Sequence, residues 1–338
     1  MNASATNTPA ANPSATNLPA SNMKRNLILL VLLLALPWVS GEYYVNLASQ
    51  IMIAALFASS LNLMVGYGGM TSLGHASYLG LSAYISAWTF LKLGFGHLAA
   101  AGTALFVTTL ISCAFGWIAL RASGLSFLMI TLALSQVLWG LGYRWVNVTN
   151  GDNGLSGLSR PEPFGINLDG AIAYYYFALL AVGVALLVVA RFVHSPFGAS
   201  LAGTRDQARR MSALGFNVWR IRWITFVFSS FLAAVAGLLY VYYHKYIHPS
   251  SLAVSSSAEV LLGVIAGGSG TLLGPVIGAG LVLLLKNYAS AYIERWNTLM
   301  GVVFVLIVLF MPDGLVPGAK RWYARVQARI KAMKGAQA

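Results

Sequence analysis

The sequence contains few charged residues. Asp, Glu, Lys and Arg make up 9% of its 338 residues, whereas they make up about a quarter of an ordinary soluble domain. Apolar and aromatic residues make up 58% of the chain, and its mean hydropathy is +0.73. So few charges cannot cover a water-soluble surface, and several apolar runs reach the ~20 residues that a helix needs to cross a bilayer. The composition excludes a soluble enzyme and indicates a polytopic membrane protein.

Motifs of cofactor and metal chemistry are also lacking. The single cysteine, Cys113, cannot form an internal disulfide and is interpreted as core packing. No Gly-Lys dipeptide occurs, which excludes the phosphate-binding loop of an ATPase within this chain. His244 and His248 are four residues apart without a third ligand nearby, so an interfacial aromatic belt is preferred to a metal site. We expect no enzymatic activity and no cofactor or metal bound by this chain.

The apolar segments predict an all-α membrane protein with about ten transmembrane helices. A retained first helix after Lys24 and Arg25 is preferred to a signal peptide, because no obvious cleavage site follows it. Glycines separate the short segments 259–266 and 272–285, which are either full crossings or half-helices that meet at a break. The predicted segments are 27–39, 45–65, 76–91, 98–120, 125–142, 171–192, 223–243, 259–266, 272–285 and 299–311.

Basic residues are concentrated on one side of this predicted topology. Most of the 21 Lys and Arg residues fall on the side of 24–25, 191–222 and the C-terminal tail, and most acids fall on the other side. Basic residues mark cytoplasmic loops, so both termini are predicted to be cytoplasmic and 145–170 to be an outer loop. The predicted organisation is a disordered tail over 1–23, a transmembrane domain over 24–317 and a basic, lipid-facing tail over 318–338.

The inner segment 194–222 is too polar to cross a membrane and too basic to be core. A helix is predicted over 199–213, and a glycine in left-handed conformation is expected to end it. Such a helix between two crossings provides a surface on which a soluble motor can act, while the alternative is a basic loop lying on anionic lipid. The candidate docking residues are Arg205, Asp206, Arg209, Ala213, Leu214 and Gly215.

A glycine-rich motif occurs twice, 200 residues apart, at 68–75 and 268–275. It predicts an internal duplication, inverted or parallel, although glycine-rich sequences also align by chance. Broken helices expose backbone to a solute, which predicts a translocation path near the motif; alternatively the glycines only allow close packing, and Ser and Thr bond their own backbone. The break or packing residues are Gly68, Gly69, Gly74, Gly267, Gly268, Gly270, Gly274 and Pro275, and the path candidates are Thr71, Ser72, His75, Glu259, Ser269 and Thr271.

Several motifs resemble the branched-chain amino acid group of ABC importer permeases, the LivM-like subunits. The resemblance covers most of 45–317 and is carried by GYGGMTSLGHA at 66–76, NGDNGLSGL at 150–158, SPFG at 195–198, GGSGTLLGP at 267–275 and PDGL at 312–315. One departure lies in the coupling helix, where Ala208, Arg210 and Met211 replace an acidic residue and paired alanines, which implies a different ATPase groove.

This resemblance implies a subunit of a bacterial inner-membrane importer for branched-chain or related amino acids. It also implies a second permease subunit, two cytoplasmic ATPases that bind ATP and Mg, and a periplasmic substrate-binding protein, with no nucleic acid. Urea, short amides or aromatic acids are alternative solutes on the same scaffold. An ion-coupled secondary transporter is the alternative from another class, for which Glu259, the only acid within a predicted crossing, is either functional or structural. A channel ranks third, because no ring of acids is evident.

Overall fold

The computed structural model describes residues 31–162, 167–292, 296–311, 314–319 and 321, and these are almost entirely helical. The described part of helix α1 is 31–39. The other helices are α2 (Glu42–Asn62, continued by a π-helical turn, Leu63–Tyr67), α3 (His75–Leu93), α4 (His97–Ala119), α5 (Leu125–Arg144), α6 (Val146–Thr149), α7 (Ala171–Val193), α8 (Pro196–Ala213), α9 (Val218–His244), α10 (Val254–Gly267), α11 (Gly274–Tyr292) and α12 (Trp296–Phe310). Two short strands, β1 (Leu155–Ser156) and β2 (Tyr246–Ile247), pair antiparallel.

Every predicted apolar segment coincides with one of these helices, which confirms the all-α class. Among the described residues, five helices are long and apolar enough to cross a membrane: α2 with its π turn, α4, α5, α7 and α9. The count of about ten crossings is not confirmed and stays a prediction. The helix that carries Glu259 begins at Val254 rather than at 259, so Glu259 lies in its second turn. The interpretation of Glu259 as a structural residue depends on stabilisation by the helix dipole, and this stabilisation falls off within the first turn.

Some predicted features lie outside the described residues. These are the tail 1–23 with Lys24 and Arg25, residues 312–313 of the terminal motif, and the basic tail apart from 318, 319 and 321.

Helices α2, α3 and α9 form the centre of the bundle. Within the most apolar stretch of each helix, 67% of the residues are buried in α2 and also in α9, whereas 22% are buried in α4 and also in α7. Helices α4 and α7 therefore present apolar side chains outward. Gly237 of α9 lies against the Leu79 carbonyl and the Ser82 hydroxyl of α3, where a Cβ atom would collide. The Ser82 hydroxyl donates a hydrogen bond to the Ala234 carbonyl at 2.8 Å. Small residues thus allow the two central helices to approach closely.

The two strands lie at one end of the bundle, which we call the β-ribbon end; the opposite end, at which α8 lies, is the α8 end. At the β-ribbon end, the guanidinium of Arg160 lies 4.6 Å from the ring centroid of Tyr174. It donates hydrogen bonds of 3.0–3.3 Å to the carbonyl oxygens of Leu168, Asp169, Tyr242 and Tyr243. Arg160 therefore joins the segment 145–170 to the last turn of α9.

Candidate functional site

Two glycine-rich loops meet at the α8 end. The first glycine loop (68–74) follows the π turn of α2, and the second glycine loop (268–273) joins α10 to α11. The side chain of Asn62 donates a hydrogen bond to the Thr271 carbonyl and accepts one from the Gly270 N–H, both at 2.9 Å. A Cβ atom at Gly66 would overlap the Gly270 backbone, so the two segments touch through their main chains. The fold thus brings together two motifs that are 200 residues apart in the sequence.

Helices α2 and α10, which precede these loops, run in the same direction. Ala54 lines a small cavity with Glu259, Leu61 packs in a cluster with Val264, and Asn62 bonds the loop beyond α10. Positions therefore advance together along both helices. The two segments that carry the glycine motif are therefore parallel rather than inverted, and whether they arose by an internal duplication stays a prediction.

The predicted break or packing glycines lie where main chains touch or turn. A Cβ atom at Gly267 would meet the Gly274 carbonyl across the α10–α11 hairpin, and one at Gly74 would meet the Thr131 carbonyl of α5. Gly68 packs closely against the Met64 carbonyl, and Pro275 lies in the first turn of α11, where a missing N–H is tolerated. The loop glycines with positive φ angles are Gly69, Gly268 and Gly270.

Arg205 of α8 reaches between the two glycine loops. Its guanidinium donates a hydrogen bond to the carbonyl of Gly66, its stem packs against Gly69, and Nη1 also lies beside Gly270. The Gly66 carbonyl belongs to the last turn of the α2 π segment, where carbonyls lack helical partners and a cation is stabilising. Sequence reasoning placed Arg205 in a motor-docking surface and missed this contact with the membrane domain.

The remaining docking candidates lie at the exposed far end of α8. The predicted helix is present, but it is broken at Gln207, whose φ is −148° and ψ is 85°. Gly215 has a φ of +87°, as predicted, and its N–H donates to the Ser212 carbonyl at 3.0 Å. The Phe216 N–H donates to the Met211 carbonyl at 3.1 Å, which completes a Schellman motif.

The tip that this motif forms is solvent-facing and apolar. Leu214 is 65% exposed and Phe216 is 45% exposed, and Asp206, Arg209 and Ala213 are exposed as well. An apolar knob with basic neighbours can dock into a groove of another protein. Whether these residues contact an ATPase stays a prediction.

Three of the residues proposed to line the translocation path instead form hydrogen bonds within the protein, as the alternative of close packing predicts. Ser72 is 1% exposed and accepts a hydrogen bond from the Gly74 N–H at 3.2 Å. The Thr271 hydroxyl donates to the Gly268 carbonyl at 2.8 Å. His75 is fully buried and bonds the Ser60 hydroxyl at 2.8 Å.

The other two candidates in the glycine loops are more open. Thr71 is half-buried and lines a cavity of about 330 Å³ at the α8 end, together with Gly69 and Arg222. Ser269 is exposed. These two positions remain the candidates of the α8 end that a solute could reach.

A cavity of about 730 Å³ lies between α2, α9, α10 and α11 toward the β-ribbon end. Both carboxylate oxygens of Glu259 lie 3.2 Å from Nζ of Lys286, and the two side chains are 29% and 46% exposed respectively. Lys286 was missed because it follows the predicted segment 272–285 by one residue, although an opposite charge in the adjacent short segment was a usable signal. The other lining residues are Gln50, Ile53, Ala54, Phe57, Ala76, Leu79, Tyr240, His244, Ser250, Ser251, Ser255, Ser256, Val260, Leu283, Asn287 and Ser290.

The β-ribbon end carries separate ion pairs on its surface. Lys245 Nζ lies 2.7 Å from Asp169, and this hydrogen bond and charge hold the pKa of the Asp169 carboxyl below its ordinary value. His248 lies 3.5 Å from Asp152. Within the described part of the chain, no three His, Cys, Asp or Glu side chains are grouped as metal ligands would be.

Comparison with known proteins gives one family and several relatives. The family described as "Branched-chain amino acid transport system / permease component" matches residues 43–311. The high-affinity branched-chain amino acid transport system permease protein LivM of Escherichia coli K12 is 28% identical over 92% of this chain and 78% of its own length. The permease protein LivH of the same strain is 24% identical over 78% of this chain and 90% of its own. The autoinducer 2 import system permease protein LsrC of Yersinia enterocolitica is 27% identical over 84% and 81%. No solved structure matches the chain.

Proposed function

The chain belongs to the family of branched-chain amino acid transport system permease components, and from this membership we propose that it is the LivM-type transmembrane subunit of an ATP-driven importer of branched-chain amino acids. It is a multi-pass membrane protein and a transport subunit rather than an enzyme. The substrate is inferred from the names of the relatives, since most of their length aligns with this chain.

The proposed importer has four further components. Because relatives of this chain include both LivM and LivH permeases, a second and different permease subunit completes the pore. Two ATPases bind ATP and Mg and dock at the α8 end, which is then cytoplasmic together with both termini. A periplasmic binding protein delivers the amino acid to the β-ribbon end. The domain 24–317 lies in the bacterial inner membrane, and the tail 318–338 lies on lipid.

The observation that carries this proposal is that α8 has an exposed tip and a first half that is anchored in the membrane domain. Its tip, from Ala213 to Phe216, is exposed and apolar, as a docking surface requires. Its other half is anchored in the membrane domain, where Leu201 and Thr204 are buried and Arg205 bonds the end of α2. The side chain of Met211, after the break at Gln207, lies against Gly203, before it. Displacement of the tip by an ATPase can therefore reach the first half of α8 and, through Arg205, both glycine loops. A secondary transporter has no use for such a connection.

The test is uptake of radiolabelled leucine into proteoliposomes that contain both permeases and both ATPases, with the binding protein present. We expect uptake to require ATP, to cease when ADP replaces ATP, and to persist when ionophores collapse the proton and sodium gradients. Uptake by this chain alone, driven by an ion gradient, would refute the proposal in favour of a secondary transporter. Uptake of urea or an aromatic acid in place of leucine would leave the class standing and reject the substrate.

A further inference from the structure

The Glu259–Lys286 pair lines the cavity of about 730 Å³ in the proposed transport domain and is partly exposed to solvent. Glu259 is five residues from the start of α10 and Lys286 is six residues from the end of α11, which at 1.5 Å per residue puts the pair about 8 Å below the β-ribbon end of the hairpin. Both side chains face the 730 Å³ cavity and remain partly accessible from it. A solute that enters from the β-ribbon end meets this pair.

We propose that Glu259 and Lys286 bind the charged head of a zwitterionic amino acid, with the Glu259 carboxylate on its ammonium group and the Lys286 ammonium on its carboxylate. This inference rests on the proposed import of branched-chain amino acids and adds the residues that recognise the substrate.

The partial exposure of the pair argues for a role beyond stability. Glu259 and Lys286 are 29% and 46% exposed, and an ion pair between exposed side chains contributes little to the free energy of folding. The α10–α11 hairpin already has close glycine contacts, at Gly267 with Gly274 and at Gly263 with Gly278. The pair is therefore not needed to hold the two helices together.

Exchange of the Glu259–Lys286 contact for contacts with the solute keeps the cavity neutral. While the cavity is empty, the carboxylate and the ammonium neutralise each other; when a zwitterion enters between them, each charge gains an opposite partner on the solute. The flexible stem of Lys286 permits this separation by rotation of side-chain bonds. An uncharged solute, or one with a single charge, cannot replace both halves of the pair.

The cavity also suits the rest of such a molecule. Its volume lies within the range of small-molecule sites, ~300–1,000 Å³. Ile53, Phe57 and Leu283 provide apolar wall for an aliphatic side chain, and Gln50 and Asn287 provide amide groups near the charged end. Recognition of the head by charge and of the tail by apolar contact describes a branched-chain amino acid.

The first test leaves the pair intact. Ser255, an exposed residue of the cavity wall, is replaced by cysteine in a Cys113→Ala background, and the full transporter is treated with a small water-soluble thiol reagent. We expect excess leucine to slow modification at least threefold, whereas leucinol, which lacks the carboxylate, and 4-methylpentanoate, which lacks the ammonium group, do not. Equal protection by leucinol, or no protection by leucine, would overturn the proposal.

The second test changes the pair. Glu259→Gln and Lys286→Met should each lower leucine uptake at least tenfold and abolish leucine protection of the cysteine at 255. Asp169→Asn is the matched control, because it removes the carboxylate of another lysine pair outside the cavity, and it should leave leucine protection of the cysteine at 255 unchanged. Normal uptake by either pair variant would reject the assignment. If a variant does not reach the membrane, the protection pattern of the intact pair still decides.

The proposed function and this inference fail separately. A transporter with the native pair that takes up no amino acid contradicts the function. One that takes up leucine, and continues to do so without Glu259 or Lys286, contradicts only the site.

Discussion

Replacement of Arg205 by methionine should uncouple ATP hydrolysis from transport. The change removes the guanidinium that bonds the Gly66 carbonyl and lies beside Gly270, while it retains an unbranched apolar stem that can still pack against Gly69. The ATPases then dock on an unchanged tip of α8, but the tip is no longer connected to the glycine loops. We expect ATPase activity to persist and leucine uptake to fall.

The expected magnitude follows from the contact that is lost. A hydrogen bond from a charged donor contributes about 1.5–3 kcal/mol, and each 1.4 kcal/mol is a factor of about ten in an equilibrium. If Arg205 makes this contact in one of the two access states only, its loss shifts the ratio of the states about ten- to a hundredfold. The ratio of leucine transported to ATP hydrolysed should fall by a similar factor. Arg205→Lys should recover part of it, because lysine retains the charge without the planar fork.

Uptake and phosphate release are measured in the same proteoliposomes. Arg220→Met is the control, because Arg220 is an exposed arginine in the same inner segment and its replacement removes the same charge. It should alter the ratio less than twofold. If Arg205→Met keeps the native ratio, or if Arg220→Met lowers it equally, the connection through Arg205 is wrong and only the net charge of the segment matters.

Three further predictions concern the tip, the glycine loops and the β-ribbon end. Gly215→Val should abolish ATP-driven uptake without loss of the protein from the membrane, since a φ of +87° costs a non-glycine residue about 1–3 kcal/mol. Gly215→Asn is the control and should retain most activity, because asparagine tolerates this conformation. Normal uptake by the valine variant would contradict the docking role. In a Cys113→Ala background, cysteine at Ser269 should react with a water-soluble thiol reagent at a rate that changes with bound ATP, and cysteine at the buried Ser72 should not; reaction at both would place the path through the first glycine loop. Arg160→Ala should lower the free energy of unfolding in detergent by about 2–3 kcal/mol, since a charged donor to several carbonyl oxygens is lost, whereas an unchanged melting temperature would show that 145–170 is held by other contacts.

The helices could be predicted because the length of an apolar segment and the glycines that interrupt it are local properties of the sequence. The predicted left-handed Gly215 is a similar case, since a glycine that ends a helix reports on its own φ angle. The internal hydrogen bonds of Ser72, His75 and Thr271 could not be predicted in the same way. A hydroxyl in a glycine-rich segment can face a solute or bond its own loop, and the choice depends on neighbours that are distant in sequence, such as Ser60 beside His75.

The contacts of Arg205 and Lys286 depend on the same kind of distant information. Arg205 belongs by sequence to a run of exposed basic residues, and only the break at Gln207 separates it from Arg209. Lys286 lies at the end of a predicted segment, where a lysine ordinarily extends to the membrane surface. Its pairing with Glu259 requires that α10 and α11 form a hairpin, which the two short apolar segments left undecided.

The break at Gln207 also divides α8 into two parts under different structural constraints. Residues before the break are constrained by the membrane domain, because Leu201 and Thr204 are buried there and Arg205 donates a hydrogen bond to the Gly66 carbonyl. Residues after it contribute mainly exposed surface, so their sequence can change together with the groove of an ATPase at little cost to the folded bundle. Ala208 and Arg210, two residues that depart from the coupling-helix pattern implied by the resemblance, lie in this second part, whereas Met211 packs against Gly203 of the first part. Exchange of residues 208–217 between relatives should then change which ATPase binds, while the translocation path stays the same.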